Sequence, residues 1–240
     1  MARRQRETSK EPDDRIAFSE HREDMDGQPP REPDVWIAQG HPWRVDGALR
    51  RRWLNPTLVK QHARPIRQFR DSVLHIPAQR PHLLTRELEE LARDMFCSMI
   101  AAHGIGIAAP QIGIPLRVVL IDVDEIGVLA VNPEAEWFES AEIASEGCLS
   151  LRGYLGWVYR PTMARLHAQD IRGKHFVAEG RGYGAQAIAH ETDHVNGILY
   201  PNRLSESSQL VRTADEGLAE GKPPSLPRIG LPLPRDLRLS

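Results

Sequence analysis

His190-Glu191-Thr192-Asp193-His194 places two imidazoles four residues apart, with a carboxylate beside the first. In an α-helix that spacing puts both rings on one face, about one turn apart, where they can share a cation. Glu191 lies about 100° further round the helix, out of line with the two imidazoles. From there it still reaches a water at the cation and can shuttle its proton. The chemistry this predicts is metal-assisted hydrolysis. Two histidines placed on a helix for packing or solvation would give the same five letters, so a metal reading needs at least a third ligand.

The chain has two cysteines. Cys97 falls among Leu88, Leu91, Met95 and Met99 at helical spacing and reads as a small core residue. Cys148 sits in Glu146-Gly147-Cys148-Leu149-Ser150, where Gly147 removes a side chain beside the thiol and permits close backbone approach. A Cys-His-His set with one open position suits a catalytic metal. A third segment, Gly104-Ile105-Gly106-Ile107-Ala108-Ala109-Pro110-Gln111, lacks the G-K-[ST] ending of a phosphate loop. It also follows a helical stretch where a dinucleotide fingerprint follows a strand, which argues against nucleotide binding. Small residues ending in Gln111 fit instead a backbone edge lying against an extended ligand, with an amide ready to donate a hydrogen bond.

In this order, G-x-G-x-A-A-P-Q, E-G-C-L-S and H-E-x-D-H resemble the three motifs of the peptide deformylases, over roughly residues 64–206. The resemblance implies that Cys148, His190 and His194 are metal ligands and that Glu191 moves the proton. It implies that the Gln111 side chain and the Leu149 backbone N–H stabilise the oxyanion. The reaction implied is removal of the formyl group from formyl-methionine at the N-terminus of newly made polypeptides. The partners are then nascent formylated peptides, met at the ribosome. Fe2+ is the metal the resemblance implies, while the ligand types equally admit Zn2+. Ile105, Gly106, Gly147, Leu155, Tyr183 and Gln186 are the expected substrate-binding residues. Glu146 is expected to hydrogen-bond a ligand histidine rather than sit solvated at a strand edge, and Asp193 to form a buried pair with Arg160.

The match departs from the family pattern in places. Arg152 stands where proline is usual, and Leu155 where an arginine helps place the peptide. Gln186, one turn before His190, replaces an aliphatic residue of the methionine pocket, a wall it is expected to share with Tyr183. These positions are expected to relax or redirect selection of the first side chain. Two alternatives follow: a specialised formamide hydrolase with another substrate, and a non-catalytic deformylase-like binding protein. A zinc protease fits the upstream cysteine and glycine-rich edge poorly.

The elements that must position these groups can be read coarsely. Residues 85–102 predict an amphipathic helix capped by Thr85 and ended by Gly104. Residues 117–123 and 127–133 predict strands, followed by strands around Cys148, over 156–160 and over 163–168. The motif helix spans 185–196, with Gly197 as its stop. The fold class expected is α+β, with antiparallel sheets packed around a central metal-binding helix, as the resemblance implies.

Three regions are expected: a charged, partly disordered N-terminal extension over 1–63, a catalytic domain over 64–206 and a Pro-rich C-terminal tail over 207–240. The extension has no sustained apolar period, as in Arg3-Arg4-Gln5-Arg6-Glu7, and cannot offset its chain entropy. Trp36, Trp43 and Trp53 are the exception, so residues 34–58 are expected to lie on the domain or on a partner. With 31 Lys+Arg against 33 Asp+Glu there is no global field for nucleic acid or an anionic membrane. No run approaches the roughly 20 apolar residues of a membrane span. Nor does the N-terminus resemble a signal or transit peptide, so the expected location is cytoplasmic.

Overall fold

In Val118–Val123 successive side chains bury on opposite faces: Val119 and Ile121 join one apolar cluster, Val118 and Leu120 another. A strand covered on both sides must be apolar throughout, which is why its sequence shows no alternation. The computed structural model describes residues 35–37, 53–82, 85–123, 126–205, 208–213 and 238–239. The elements are β1 (Val35–Ile37), α1 (Pro56–His62), α2 (Thr85–Ala101), β2 (Gly106–Ala108), β3 (Val118–Val123), β4 (Ile126–Cys148), β5 (Leu151–Gln169), β6 (His175–Arg181), α3 (Tyr183–Val195), β7 (Val211–Arg212) and β8 (Arg238–Leu239). The strands run β1-β6-β5-β4-β3-β2, every neighbour antiparallel, with β7 against β5 and β8 parallel to β4. The result is the expected α+β fold with antiparallel pairing.

α3 packs Ala185, Ile188 and Val195 against Val119, Ile121, Leu166 and Ala178. Its close approach depends on Gly180 of β6, where a Cβ would lie 2.7 Å from the Gly184 carbonyl carbon and 2.9 Å from Ile188 Cδ1. On the other side of β3, α2 buries Leu88, Leu91, Met95, Phe96 and Met99 with Leu120 and Leu129, and Cys97 is fully buried as expected of a core residue. α2 ends as predicted near residue 102, but the left-handed residue is His103 (φ 58°) rather than Gly104. Gly104 N–H bonds Met99 O at 2.9 Å and His103 N–H bonds Ile100 O at 3.1 Å, a Schellman closure. Thr85 is the first residue of α2, and its hydroxyl donates to Ile171 O at 3.4 Å. α3 closes the same way, with Gly197 (φ 73°) supplying the stop.

The three strands read around Cys148, over 156–160 and over 163–168 are two long ones, β4 and β5, joined at Leu149-Ser150. Pro133 and Pro161 do not end them. Each proline lies at a register shift, between Val131 and Glu134 or opposite Ala141, where an irregularity absorbs the missing donor. β6 was not anticipated. Ahead of α2, Trp53 is buried and its ring lies 5.5 Å from that of Phe96. Asn55 caps α1 by accepting from Thr57 N–H at 2.9 Å, and Asp94 of α2 accepts from Arg64 Nε at 2.8 Å and contacts His62 Nδ1 at 3.1 Å. Trp43, the charged residues 1–34 and most of the Pro-rich tail lie outside the described residues. No helix among the described residues is long and apolar enough to cross a membrane.

Trp53→Ala should therefore lower the unfolding free energy by about 3 kcal/mol, the usual cost of emptying a buried aromatic site. Chemical denaturation checks this, and a loss below about 1 kcal/mol would mean that Trp53 only lies on the surface of α2.

Candidate metal centre

Cys148 is the last residue of β4, one step before the turn, and His190 and His194 project from one face of α3. One ligand atom from each of these three residues lies within 4.8 Å of the others. His194 Nε2 is 3.2 Å from both Cys148 Sγ and His190 Nε2. His190 Nδ1 contacts Glu146 Oε1, and in the neutral ring this carboxylate holds the single proton at Nδ1 and leaves Nε2 as a lone pair. His194 Nδ1 is buried with no hydrogen-bond partner among the described residues. Burial, then the neighbouring His190, hold the His194 imidazole well below its ordinary pKa, and a neutral ring is the form that ligates. Two nitrogens and a sulfur converging in this way fit a divalent cation.

Glu146, expected beside a ligand histidine, is only 3% exposed. Arg160 donates to it twice, through Nε and Nη2, each at 2.7 Å, and donates to Asp193 Oδ2 from Nη1 at 2.7 Å. The anticipated Asp193–Arg160 pair is thus present, as one limb of a larger buried network. Arg203 completes it, with Nη2 2.8 Å from Asp193 Oδ1. Burial works against ionisation of Glu146, but Arg160 and His190 outweigh it and hold the carboxyl well below the usual range. His190 is pushed the other way: burial opposes its charge, and Glu146 with Cys148 raises its pKa well above the ordinary value. The raised value favours a second proton, at Nε2, and a cation binding there takes its place.

Glu191 is buried beside His190, with Oε2 unpartnered among the described residues. Burial pushes its carboxyl up to about 7, in the range suited to taking and returning a proton near neutrality. The glycines of the G-x-G segment acquire a reason here. A Cβ on Gly106 would collide with the Glu191 carboxylate, and one on Gly104 would lie 2.7 Å from Leu149 Cδ1. Gln111 accepts from Ala108 N–H at 2.8 Å through Oε1, which turns its Nε2 toward Cys148 Sγ (3.5 Å) and Ser150 Oγ (3.2 Å).

Gly104, Gly106, Gln111, Glu146, Cys148, His190 and Glu191 border one cleft of about 350 Å³, whose lining also includes Ile105, Gly147, Leu149, Leu155, Tyr183 and Gln186. Gln186, expected in the wall that selects the first side chain, turns its nitrogen inward: Nε2 donates to Ser145 O at 3.0 Å and lies 3.5 Å from Glu146 Oε2. Sequence reasoning also missed Arg203, Ser150 as a partner of Gln111, and Tyr200, whose ring stacks on His190 at 6.5 Å while its hydroxyl bonds Tyr154 O at 3.0 Å. Only Ser150, inside a recognised motif, carried any local signal.

The sequence profile of the family described as polypeptide deformylase matches residues 63–210. The chain belongs to that family. It is similar to peptide deformylase 1 of Clostridium acetobutylicum, with 40% identity over 144 residues, covering 60% of this chain and 96% of the relative. Among solved structures, the peptide deformylase of Thermotoga maritima aligns with a TM-score of 0.58 at 34% identity, covering 60% of this chain and 99% of that one. The Synechococcus elongatus peptide deformylase, solved in complex with actinonin, gives 0.57 at 34% identity, over 60% and 82% of the two chains. The family uses a divalent metal, and the Cys148, His190 and His194 cluster lies within the matched span.

Two substitutions test this geometry. Glu146→Gln should weaken divalent-metal affinity by about 10- to 100-fold, as loss of a carboxylate behind a ligating histidine does elsewhere; competition with a chelator measures it, and unchanged affinity contradicts the role. Gly106→Ala should keep the metal but lower kcat by about tenfold or more, equivalent to ~1.4 kcal/mol, because the new methyl displaces Glu191. Normal turnover with the methyl in place would show that the carboxylate's position is not critical.

Proposed function

We propose that this chain removes the formyl group from formyl-methionine at the N-terminus of newly made polypeptides, in the cytoplasm. The observation that supports it most is the convergence of Cys148 Sγ, His190 Nε2 and His194 Nε2 beside the buried Glu191, at the wall of a peptide-sized cleft. Fe2+ is the metal assigned by this reading, and the same donor set accepts Zn2+. When bound, a divalent cation supplies Lewis acidity, polarising a carbonyl oxygen and acidifying water.

The chain's own residues do the rest. Glu191 takes a proton from the attacking water as the new C–O bond forms. It then returns a proton to the amine nitrogen as the C–N bond breaks, releasing formate and a free N-terminus. The carbonyl oxygen becomes an oxyanion at the tetrahedral stage. Gln111 Nε2, held in place by the Ala108 N–H, and the Leu149 N–H are the donors assigned to it. Each such donor contributes roughly 2.7–4 kcal/mol in comparable sites. Ile105, Gly106 and Gly147 offer backbone along the cleft. β2 is the last strand of the sheet order, so an extended peptide can lie along its outer edge as an added strand. Tyr183 and Gln186 on the first turns of α3, with Leu155 opposite, are assigned to the substrate side chains.

Formate release from formyl-Met-Ala amide by the ferrous protein, prepared without oxygen, tests the activity; no turnover at full metal occupancy contradicts it. Cys148→Ala, His190→Ala and His194→Ala should each lose the metal. Glu191→Gln should keep it while losing about 10²–10⁴-fold in kcat. If Glu191→Gln empties the site, or Cys148→Ala binds metal normally, the assignment of roles fails.

A further inference from the structure

β7 brings residues beyond the matched span to the cleft. The family match ends at residue 210, whereas β7 (Val211–Arg212) pairs antiparallel with β5, Leu155 opposite Val211 and Tyr154 opposite Arg212. Thr213 continues the ladder, its N–H donating to Gly153 O at 2.8 Å, and Thr213 lines the cleft. Side chains directly opposite in an antiparallel pair share a face, and alternate residues return to it. Leu155 and Thr213 line the cleft, and Val211, opposite Leu155 and two residues before Thr213, shares their face of the β5–β7 ladder.

The strand is fixed there by packing. Leu210 packs against the Leu151, Tyr154, Val158 and Tyr200 cluster. Room for it comes from Gly156, where a Cβ would lie 3.3 Å from Leu210 Cδ2 and 2.6 Å from Leu204 Cδ2. Leu155 itself is set close against the backbone next to the ligand cysteine: a Cβ on Gly147 would lie 3.0 Å from Leu155 Cδ2. Val211 is 47% exposed, among the most exposed large apolar residues described. An apolar residue left half in water beside a cleft gains by covering itself with an apolar ligand group.

We propose that β7 is a specificity wall. Leu155 and Val211 contact the side chain that follows the formylated residue and favour an apolar one, and Thr213 sets the reach of that wall. The ligand class is a formylated peptide with an aliphatic or aromatic second residue, in preference to an acidic one. The proposal rests on the deformylase reading for the identity of the first residue, and the test separates the two.

The metal-loaded full chain carrying Glu191→Gln, so that ligand is not consumed, is titrated calorimetrically with formyl-Met-Leu amide and formyl-Met-Asp amide. The leucine peptide should bind about 5-fold tighter or more, the scale of one small apolar contact. Adding Val211→Lys, at an exposed position, should bring that ratio to about one or invert it, and Thr213→Val should raise it, with thermal unfolding of both variants unchanged. A ratio that stays the same in both variants overturns the proposal, as does a wild-type ratio near one. Turnover of the same peptides by the chain with Glu191 intact reports separately on the deformylase activity: a leucine preference in binding without formate release keeps the wall and rejects the reaction.

Discussion

Arg160 is buried to 1% exposure, and its guanidinium touches both elements that carry the metal-binding groups. Two of its nitrogens clamp Glu146, two residues before Cys148 on β4, and a third reaches Asp193, next to His194 on α3. One planar cation thus sets the strand that offers the sulfur against the helix that offers the imidazoles. A guanidinium in this position would be prohibitive alone. Here both carboxylates meet it with near-ideal hydrogen bonds and Arg203 balances the second of them, so the group is stable as a unit and costly to break. Such a network adds little net stability compared with an apolar core; what it supplies is a fixed geometry.

That geometry reaches the reacting groups through single contacts. Glu146 orients His190 through Nδ1, so the side chain that joins the charge network also sets which nitrogen faces the metal position. On the opposite wall, β2 approaches α3 so closely that only a hydrogen at Gly106 fits beside the Glu191 carboxylate. The resulting exclusion of solvent is what raises that carboxyl toward neutrality. Buried charge on one side and an enforced absence of side chain on the other therefore serve the same end. They hold the buried Glu191 carboxyl at the wall of the cleft.

The parts of this site legible in the sequence are those fixed by local geometry. The i, i+4 spacing of His190 and His194 needs only a helix, and Gly197 signals where that helix stops. Cys148 stands out because cysteine is scarce and glycine precedes it. The reasons for Gly104 and Gly106 were not legible, since the atoms they make room for belong to Leu149 and Glu191, 45 and 85 positions away in the chain. Arg203 and Tyr200 were hidden for the same reason. β6 escaped notice because its inward residues, Phe176, Ala178 and Gly180, are mostly too small to mark an alternating strand. The strands read over 127–133 and 156–160 stop at Pro133 and just before Pro161, yet both prolines sit at irregularities of long strands that continue through them. Gln186 shows the limit of reading a residue by type, because whether its amide faces substrate or protein depends on a carbonyl of β4.

Anomalous diffraction from crystals of the metal-loaded chain, collected at the absorption edge of the bound metal, tests the central claim most directly. The account predicts one peak bounded by Cys148 Sγ at about 2.3 Å and by His190 Nε2 and His194 Nε2 at about 2.0–2.1 Å, the distances of mixed thiolate and imidazole sites. Glu191 should lie outside the coordination sphere, and His190 Nδ1 should remain on Glu146. A peak elsewhere, or one in which the Glu191 carboxylate replaces Cys148 or a histidine as ligand, would contradict it.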